Sequence, residues 1–536
     1  MAGGILRLWQ YLANASLWID EAALARNIIE RPLPELFGSL PYAQVAPPVF
    51  LAVEKAAVTL FGTSEYALRL FPLISGIGAL FIFRAVARRI LDGWSVVFAV
   101  GLFALGIPFI YAASQVKQYS SDIAAALLLL LVALELHTPG SRKDRMVLMV
   151  LLAAALVWIS QTALFVMAGI TVAFLVLYWK GDVIDRRALI MAVFVWSASA
   201  AAAALHALSN VNDLDRQYFQ AFWRVGFMPF PPERIRDVFW VPEQLIWVFG
   251  AFATGLGHIH GGLNYRWSPV FTAVMFYGLW SLWRSRRDAA LFLTLPVLAV
   301  LGASAAGIYP FTARLLAFLI PFFLLAVAAG ARQLVASLPQ RLQFLTPVAL
   351  AILGGSPLYA IATALPPSRI QHLRPALVHL AQHRQNGDAI YVYSGAALSF
   401  RYYASRLELP DDDVSYGTCA IGNPRDYLEQ LDRLRSKPRA WIVMTHEQQR
   451  GEREFILGYL KQIGRELDAV DIPSPTNHPT ERASVHLYDL SAPRSNIDAR
   501  TFPIPRTIET PPPGLLKWGC YGITGGEPLA NSPPRP

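Results

Sequence analysis

The chain has 536 residues, of which 54% are hydrophobic and only 15% charged, and its mean hydropathy is +0.39. That is more apolar surface than one soluble core can hide, so the composition argues for a membrane protein. The formal charge of +9 comes from Lys and Arg placed singly or in threes at the ends of apolar runs, not from a basic tract with interleaved aromatics, which excludes a nucleic-acid reader.

Met1 to Trp18 is too short and too polar to span a bilayer, whose core takes roughly 20 apolar helical residues to cross. It leads into SLWIDEA, where Asp20 and Glu21 stand directly before a helical pattern, Ala22 to Glu30. One reading makes Asp20 a helix cap and Glu21 a complement to the positive end of the helix. The other makes one carboxylate a general base toward an acceptor hydroxyl, while its neighbour orients substrate or binds a divalent cation. The paired prolines and amphipathic pattern of APPVFLAVEKAAVTLFG predict an interfacial helix, in which Lys55 is read as structural.

Ten apolar segments are predicted to span: Leu68 to Leu91, Trp94 to Ala113, Ser121 to Leu136, Met146 to Ser160, Ala163 to Trp179, Ala188 to Leu208, Trp267 to Trp283, Ala289 to Tyr309, Leu315 to Leu334 and Phe344 to Ala364. Leu245 to Leu256 is only about half a span and reads as interfacial or re-entrant. Every alternate loop is basic, from Arg84, Arg88 and Arg89 through Arg142 and Lys143 to Arg332 and Arg341, which marks those loops as cytoplasmic. The remaining loops lie outside, together with everything after Pro366. Ten crossings with an exterior C-terminus place the N-terminus outside as well.

Between the second and third spans, YAASQVKQYSSD packs polar groups against the outer interface. Lys117 is either a snorkelling cation or a phosphate partner, Tyr119 a hydrogen-bond donor, and Asp122 a helix cap. Arg314 closes the short outer turn YPFTAR, either as an interfacial anchor or on a phosphate. His258 and His260, in GHIHGG, have spacing for two metal nitrogens, but no third ligand is close in sequence. No P-loop, GxSxG, HExxH or dinucleotide fingerprint occurs.

From Pro366 the pattern is that of a soluble α/β domain. Strands are predicted at Ala389 to Ser394 after the Asn386-Gly387-Asp388 turn, at Trp441 to Thr445 and at Ser484 to Leu490, with a helical stretch over Glu447 to Glu466. The tail beyond Ala492 is rich in proline. Cys419 and Cys520, the only cysteines, both fall in this exterior part and are candidates for one disulfide. The expected fold is therefore an all-α polytopic membrane domain with a small exterior α/β domain. Its segments are 1–66 (first exterior loop), 67–365 (spans, with exterior loop 209–266), 366–492 (α/β) and 493–536 (tail).

The succession SLWIDEA, APPVFLAVEK, EYALRLFPL and YAASQVKQYSSD resembles the GT-C superfamily of membrane glycosyltransferases, in particular the bacterial relatives of protein O-mannosyltransferases and of lipid A aminoarabinose transferases. The likeness runs from Gly4 to Leu365, and GDAIYVYSGAALSFRYY is similar to the exterior appendage of some bacterial members. The resemblance implies a polyprenyl phosphate-linked sugar donor in the outer leaflet of the cytoplasmic (inner) membrane, and an envelope acceptor that is a lipid, a polysaccharide or a protein. It casts Asp20, with Glu21 beside it, as base or as ligand of a divalent cation such as Mg²⁺ or Mn²⁺. Lys117, Tyr119 and Arg314 become the donor-phosphate candidates. A further apolar helix is also expected ahead of the acidic pair. One departure stands out. Relatives often carry a glutamate where this chain has Gln115, which cannot serve as a base, so either Asp122 substitutes, or Asp20 and Glu21 suffice, or the protein is a non-catalytic envelope scaffold. A transporter or flippase of lipid-linked sugars is the rival from another class, and it would need charges at mid-bilayer and paired broken helices.

Overall fold

A computed structural model of the chain describes all residues except 138–142, 179–185, 255–262, 347–353, 356–361, 363–366, 410–413, 422, 475–480, 492–496, 506–507 and 509–536. In chain order the helices are α1 (Ala2–Leu12), α2 (Ile19–Glu30), α3 (Pro48–Phe61), α4 (Glu65–Leu68), α5 (Leu70–Ile90), α6 (Trp94–Leu105), α7 (Ile107–Ala112), α8 (Tyr119–His137), α9 (Lys143–Ile159), α10 (Ala163–Tyr178), α11 (Arg186–Ser209), α12 (Asp213–Phe222), α13 (Trp240–Thr254), α14 (Leu263–Ser285), α15 (Arg287–Ala305), α16 (Ile320–Ser337), α17 (Leu373–His383), α18 (Ala397–Ala404), α19 (Arg425–Asp432) and α20 (Glu452–Ile463). The strands are β1 (Ala389–Val392), β2 (Val414–Tyr416), β3 (Ala440–Thr445), β4 (Arg465–Ile472) and β5 (Ala483–Asp489). They form two compact units: Met1–Ala13, Ala46–Asn212 and Trp223–Pro367 make one, and Asn14–Val45, Asp213–Phe222 and Ser368–Pro536 the other.

The first unit is helical. Among the described residues five helices are long and apolar enough to cross a membrane: Glu65–Ile90, Tyr119–His137, Arg187–Ser209, Arg287–Ala305 and Ile320–Ser337. Three shorter apolar helices, Trp94–Leu105, Met146–Ile159 and Ala163–Tyr178, accompany them. The expected span Phe344 to Ala364 falls mostly outside the described residues. The expected span Trp94 to Ala113 is broken into α6 and α7 at Gly106. The cause is Pro108, whose nitrogen cannot donate to the carbonyl four residues back and so leaves Ala104 O without its helical partner. Arg7 of α1 supplies the missing donors: its Nη1 lies 3.1 Å from Ala104 O and its Nη2 3.4 Å from Phe103 O. A buried arginine in a short N-terminal helix thus completes the end of α6.

Helices α14 and α16 meet backbone to backbone. A methyl group on Gly278 would stand 1.8 Å from Ala326 O, and one on Gly330 would stand 2.1 Å from Val274 O. Only paired glycines permit that approach, and small residues at crossings are how helices in lipid obtain close packing.

The second unit carries a five-stranded sheet in the order β2-β1-β3-β5-β4. β2, β1 and β3 run parallel, while β5 is antiparallel to both β3 and β4. β3 is buried along its whole length, which is why AWIVMT reads as an unbroken apolar run. β4 alternates exposed and partly buried residues, as an edge strand does. Two sequence expectations change here. The helix expected over Glu447 to Glu466 begins only at Glu452, because Gly451 takes a left-handed conformation at φ 81°, and its last residues pass into β4 after Gly464. Strands β2 and β4 were not anticipated, since one is three residues long and the other is half polar. Cys419 is disulfide-bonded; Cys520, the chain's other cysteine, lies outside the described residues. His258 and His260 lie outside them too.

Candidate functional site

The segment carrying the acidic pair is stitched onto the α/β domain of its own unit. Ser16 N–H donates to His372 Nδ1 at 3.0 Å, and the Ser16 hydroxyl accepts from Arg374 N–H at 2.9 Å while lying 2.8 Å from the same imidazole nitrogen. Leu17 N–H donates to the Tyr403 hydroxyl at 2.8 Å, and Leu17 O accepts from Ser399 Oγ at 3.2 Å. Ile19 N–H donates to Gln371 Oε1 at 3.0 Å. The first turn of a helix leaves its N–H groups without internal partners. Here the first of them, Ile19 N–H, is satisfied by a side chain 352 residues away in sequence, in place of a local Ser or Asp cap.

This arrangement separates the two carboxylates. Glu21 is 2% exposed and lies 3.5 Å from Trp18 N–H, a long contact that is half of a capping box. Asp20 is only partly buried, and its charge acts on His446, a residue in the loop after β3. Burial holds the His446 imidazole down near pKa 4, against the opposing pull of Asp20, so the ring is neutral. Gln371 Nε2 sits 2.6 Å from His446 Nδ1. Neither Gln371 nor His446 carried a sequence signal, because the contacts that matter are long-range.

The other candidates belong to the helical unit. Gln115, Lys117 and Asp122 are all buried, at 3%, 9% and 5% exposure, and Tyr119 begins α8. Asp122 does not cap α8: its carboxylate takes hydrogen bonds from the hydroxyls of Ser160 and Thr162, which are themselves 3.0 Å apart at the α9–α10 turn. Among the described residues Gln115 Oε1, Ser120 Oγ and Asp122 Oδ1 are buried with no hydrogen-bond partner. Tyr309 lies within electrostatic reach of Asp122 and Tyr119, and its hydroxyl donates to Leu315 O at 2.9 Å. That bond closes the turn bearing Arg314 on itself. The Arg314 guanidinium stands 5.3 Å from the centroid of the Trp223 ring, within cation–π range. Lys55 is partly exposed on α3. A cavity of about 240 Å³ between α8, α9, α10 and α11 is lined only by apolar residues such as Leu136, Met146, Phe174 and Trp196, and has no part in this chemistry.

The residue beside Lys55 is one that sequence reasoning missed. Glu54 is 0% exposed, and neither of its carboxyl oxygens has a hydrogen-bond partner among the described residues. Burial raises its pKa well above 4.5, the desolvation case. A raised folded-state pKa destabilises the fold increasingly as pH climbs through the unfolded value of 4.5 toward the folded one. Glu54→Gln is therefore expected to melt close to the parent at pH 4, and to be more stable by about 1–3 kcal/mol at neutral pH. Thermal melts of the detergent-solubilised protein across that range check the sign.

No three His, Cys, Asp or Glu side chains converge among the described residues. No protein-family model matches the sequence, and no curated protein matches it by sequence. Solved structures do match. ArnT from Cupriavidus metallidurans bound to undecaprenyl phosphate aligns over 90% of this chain and 96% of its own, at TM-score 0.50 and 13% identity. The archaeal oligosaccharyltransferase AglB from Archaeoglobus fulgidus, in complex with an inhibitory peptide and a dolichol-phosphate, aligns over 91% of this chain and 73% of its own, at TM-score 0.47 and 14% identity. With a helical unit and a small α/β unit, the chain shares the fold of ArnT.

Proposed function

We propose that the protein is a glycosyltransferase that moves a sugar from a polyprenyl phosphate donor to an envelope acceptor at the outer face of the cytoplasmic membrane. The observation that carries this reading is the placement of Asp20: a partly exposed carboxylate at the start of α2, on a segment fixed by side-chain hydrogen bonds from the α/β domain. The topology expected from the sequence, ten crossings with the basic loops inside and everything after Pro366 outside, is consistent with this reading. The ArnT fold and its bound undecaprenyl phosphate support the donor class.

In the proposed reaction Asp20 takes the proton of an acceptor hydroxyl, which attacks the anomeric carbon. The bond from that carbon to the phosphate oxygen breaks, and the lipid phosphate leaves with the electron pair. Lys117 and Arg314 offset the charge that develops on the phosphate, and Tyr119 donates a hydrogen bond to it. Glu21, turned inward, holds the helix start. If the reaction uses Mg²⁺ or Mn²⁺, Asp20 is its carboxylate ligand, and activity with and without chelator reads this directly.

The test is incubation of purified protein with a panel of undecaprenyl phosphate-linked sugars and envelope extracts, followed by mass spectrometry of the products. Covalent transfer supports the reading. Movement of the intact donor across vesicles without transfer would instead select the flippase. Lys117→Ala and Arg314→Ala are expected to raise the donor KM or lower kcat by about 10-fold or more each, since charge-assisted bonds contribute about 1.5–3 kcal/mol. Unchanged kinetics in both variants would remove them from the phosphate site.

A further inference from the structure

The stretch from Val225 to Phe239, in the connection between α12 and α13, turns large apolar side chains outward. Val225, Phe230, Ile235, Val238 and Phe239 are all exposed, from 59% at Phe239 to 86% at Ile235. Exposed apolar surface of this density marks an interaction site. The stretch is nonetheless ordered by its own hydrogen bonds. The Asp237 carboxylate accepts from Glu233 N–H at 3.0 Å and from Arg234 N–H at 2.9 Å, which fixes the start of the 3₁₀ turn Ile235–Phe239 that carries three of the five.

The root of the stretch is tied to the end of an apolar helix. Ser304, in the last turn of α15, donates from its hydroxyl to Gly226 O at 3.1 Å and accepts from Met228 N–H at 2.9 Å. Phe311 N–H donates to the same carbonyl of Gly226 at 2.6 Å. A methyl group on Gly226 would stand 2.7 Å from Thr312 Cγ2 and 2.9 Å from Pro310 Cβ, so only glycine lets the two segments close on each other here. Val225 O accepts from Gln244 Nε2 of α13 at 3.2 Å. Because α15 is long and apolar enough to cross a membrane, its last turn marks the level where hydrocarbon gives way to headgroups. Exposed Leu298 precedes that level and exposed Ile308 follows it, so the apolar surface of the helix continues to the point where the stretch is attached.

Charge does not select a protein partner. Between positions 224 and 243, Arg224, Arg234 and Arg236 balance Glu233, Asp237 and Glu243. Trp223, Trp240 and Trp247 flank the stretch, and tryptophan is enriched where a bilayer meets water. We propose that Val225 to Phe239 forms a finger that inserts its apolar side chains among the phospholipid acyl chains of the leaflet at the Ala305 end of α15. This rests on α15 spanning the bilayer and on none of the proposed chemistry. It adds a lipid contact beside the turn that bears Arg314.

The experiment uses the full chain in nanodiscs of phosphatidylcholine and phosphatidylglycerol, with an environment-sensitive fluorophore on Ile235→Cys or Val238→Cys. Labelling is done without reductant, since Cys419 is disulfide-bonded, and the unsubstituted protein gives the background. Quenching by spin-labelled lipids is expected to place both labels about 5–10 Å below the phosphates, with little quenching by aqueous iodide. Iodide quenching as strong as that of the cysteine-conjugated dye in buffer would overturn the finger. Protection from both quenchers would overturn it too, because the cover would then be protein, such as a second copy of the chain. The combined change Ile235→Asp and Phe239→Asp touches only exposed side chains, so the melting temperature should hold while the Val238→Cys label moves out to iodide. An unchanged label depth in that variant would show that these side chains do not drive the insertion, and would sink the proposal.

Discussion

Asp20→Asn is expected to lower glycosyl transfer by about 10²- to 10⁴-fold, the usual loss when a general base is removed. The substitution keeps size and hydrogen-bonding shape but cannot accept the hydroxyl proton. Helix α2 should survive it, because the first-turn N–H of Ile19 donates to Gln371 and the preceding Leu17 N–H to Tyr403, not to Asp20. The melting temperature of the variant should therefore stay near that of the parent, and the donor KM should change little. Glu21→Gln is the informative contrast. Glu21 is buried and faces Trp18 N–H at 3.5 Å, so its loss should register in stability more than in kcat. The measurement is single-turnover transfer with a polyprenyl phosphate-linked sugar, normalised to folded protein. Retention of full activity by Asp20→Asn would remove this residue from the chemistry.

Gly278→Ala is expected to destabilise the helical unit by more than about 3 kcal/mol, at the upper end for overpacked sites. In an ordinary helix interior the same change stabilises by up to about 1 kcal/mol, so the sign itself is diagnostic. The reason is the 1.8 Å gap between the new methyl group and Ala326 O, with Gly330 N only 2.7 Å away. Neither neighbour is a side-chain end that can swing aside; both are backbone of α16. The two helices would have to separate along their crossing. Gly101→Ala serves as the control, since a methyl group there meets nothing within 4 Å. Thermal melts and size-exclusion profiles in detergent would settle the point, and a Gly278→Ala protein as stable as the Gly101→Ala one would refute the crossing.

Five of the ten expected spans coincide with helices long and apolar enough to cross a membrane among the described residues; they were legible because a lipid-facing helix must be apolar along its length. β1, β3 and β5 were legible because buried strands with turn signals on either side leave few alternatives. The three-residue β2 and the alternating edge strand β4 were not, since neither concentrates enough apolar residues in one run. The acidic pair was visible as a pair, but sequence could not say which member was turned inward. Asp122 read as a helix cap; its actual partners, Ser160 and Thr162, lie across a different helical turn. Glu54 drew no reading of its own in the sequence, whereas the structure buries it with no hydrogen-bond partner for its carboxyl oxygens among the described residues.

By itself the sequence determined the class of this protein: apolar composition, alternate basic loops and an α/β pattern after Pro366 each follow from local free energies of transfer and propensity, which act residue by residue. Only the tertiary structure decided how the site is built. How the segment just before Asp20 is held depends on hydrogen bonds that run from Ile19 through Gln371 to His446. Those bonds join residues separated by 352 and 75 positions. Contacts of that range are selected by the closure of the fold, and no local pattern encodes them.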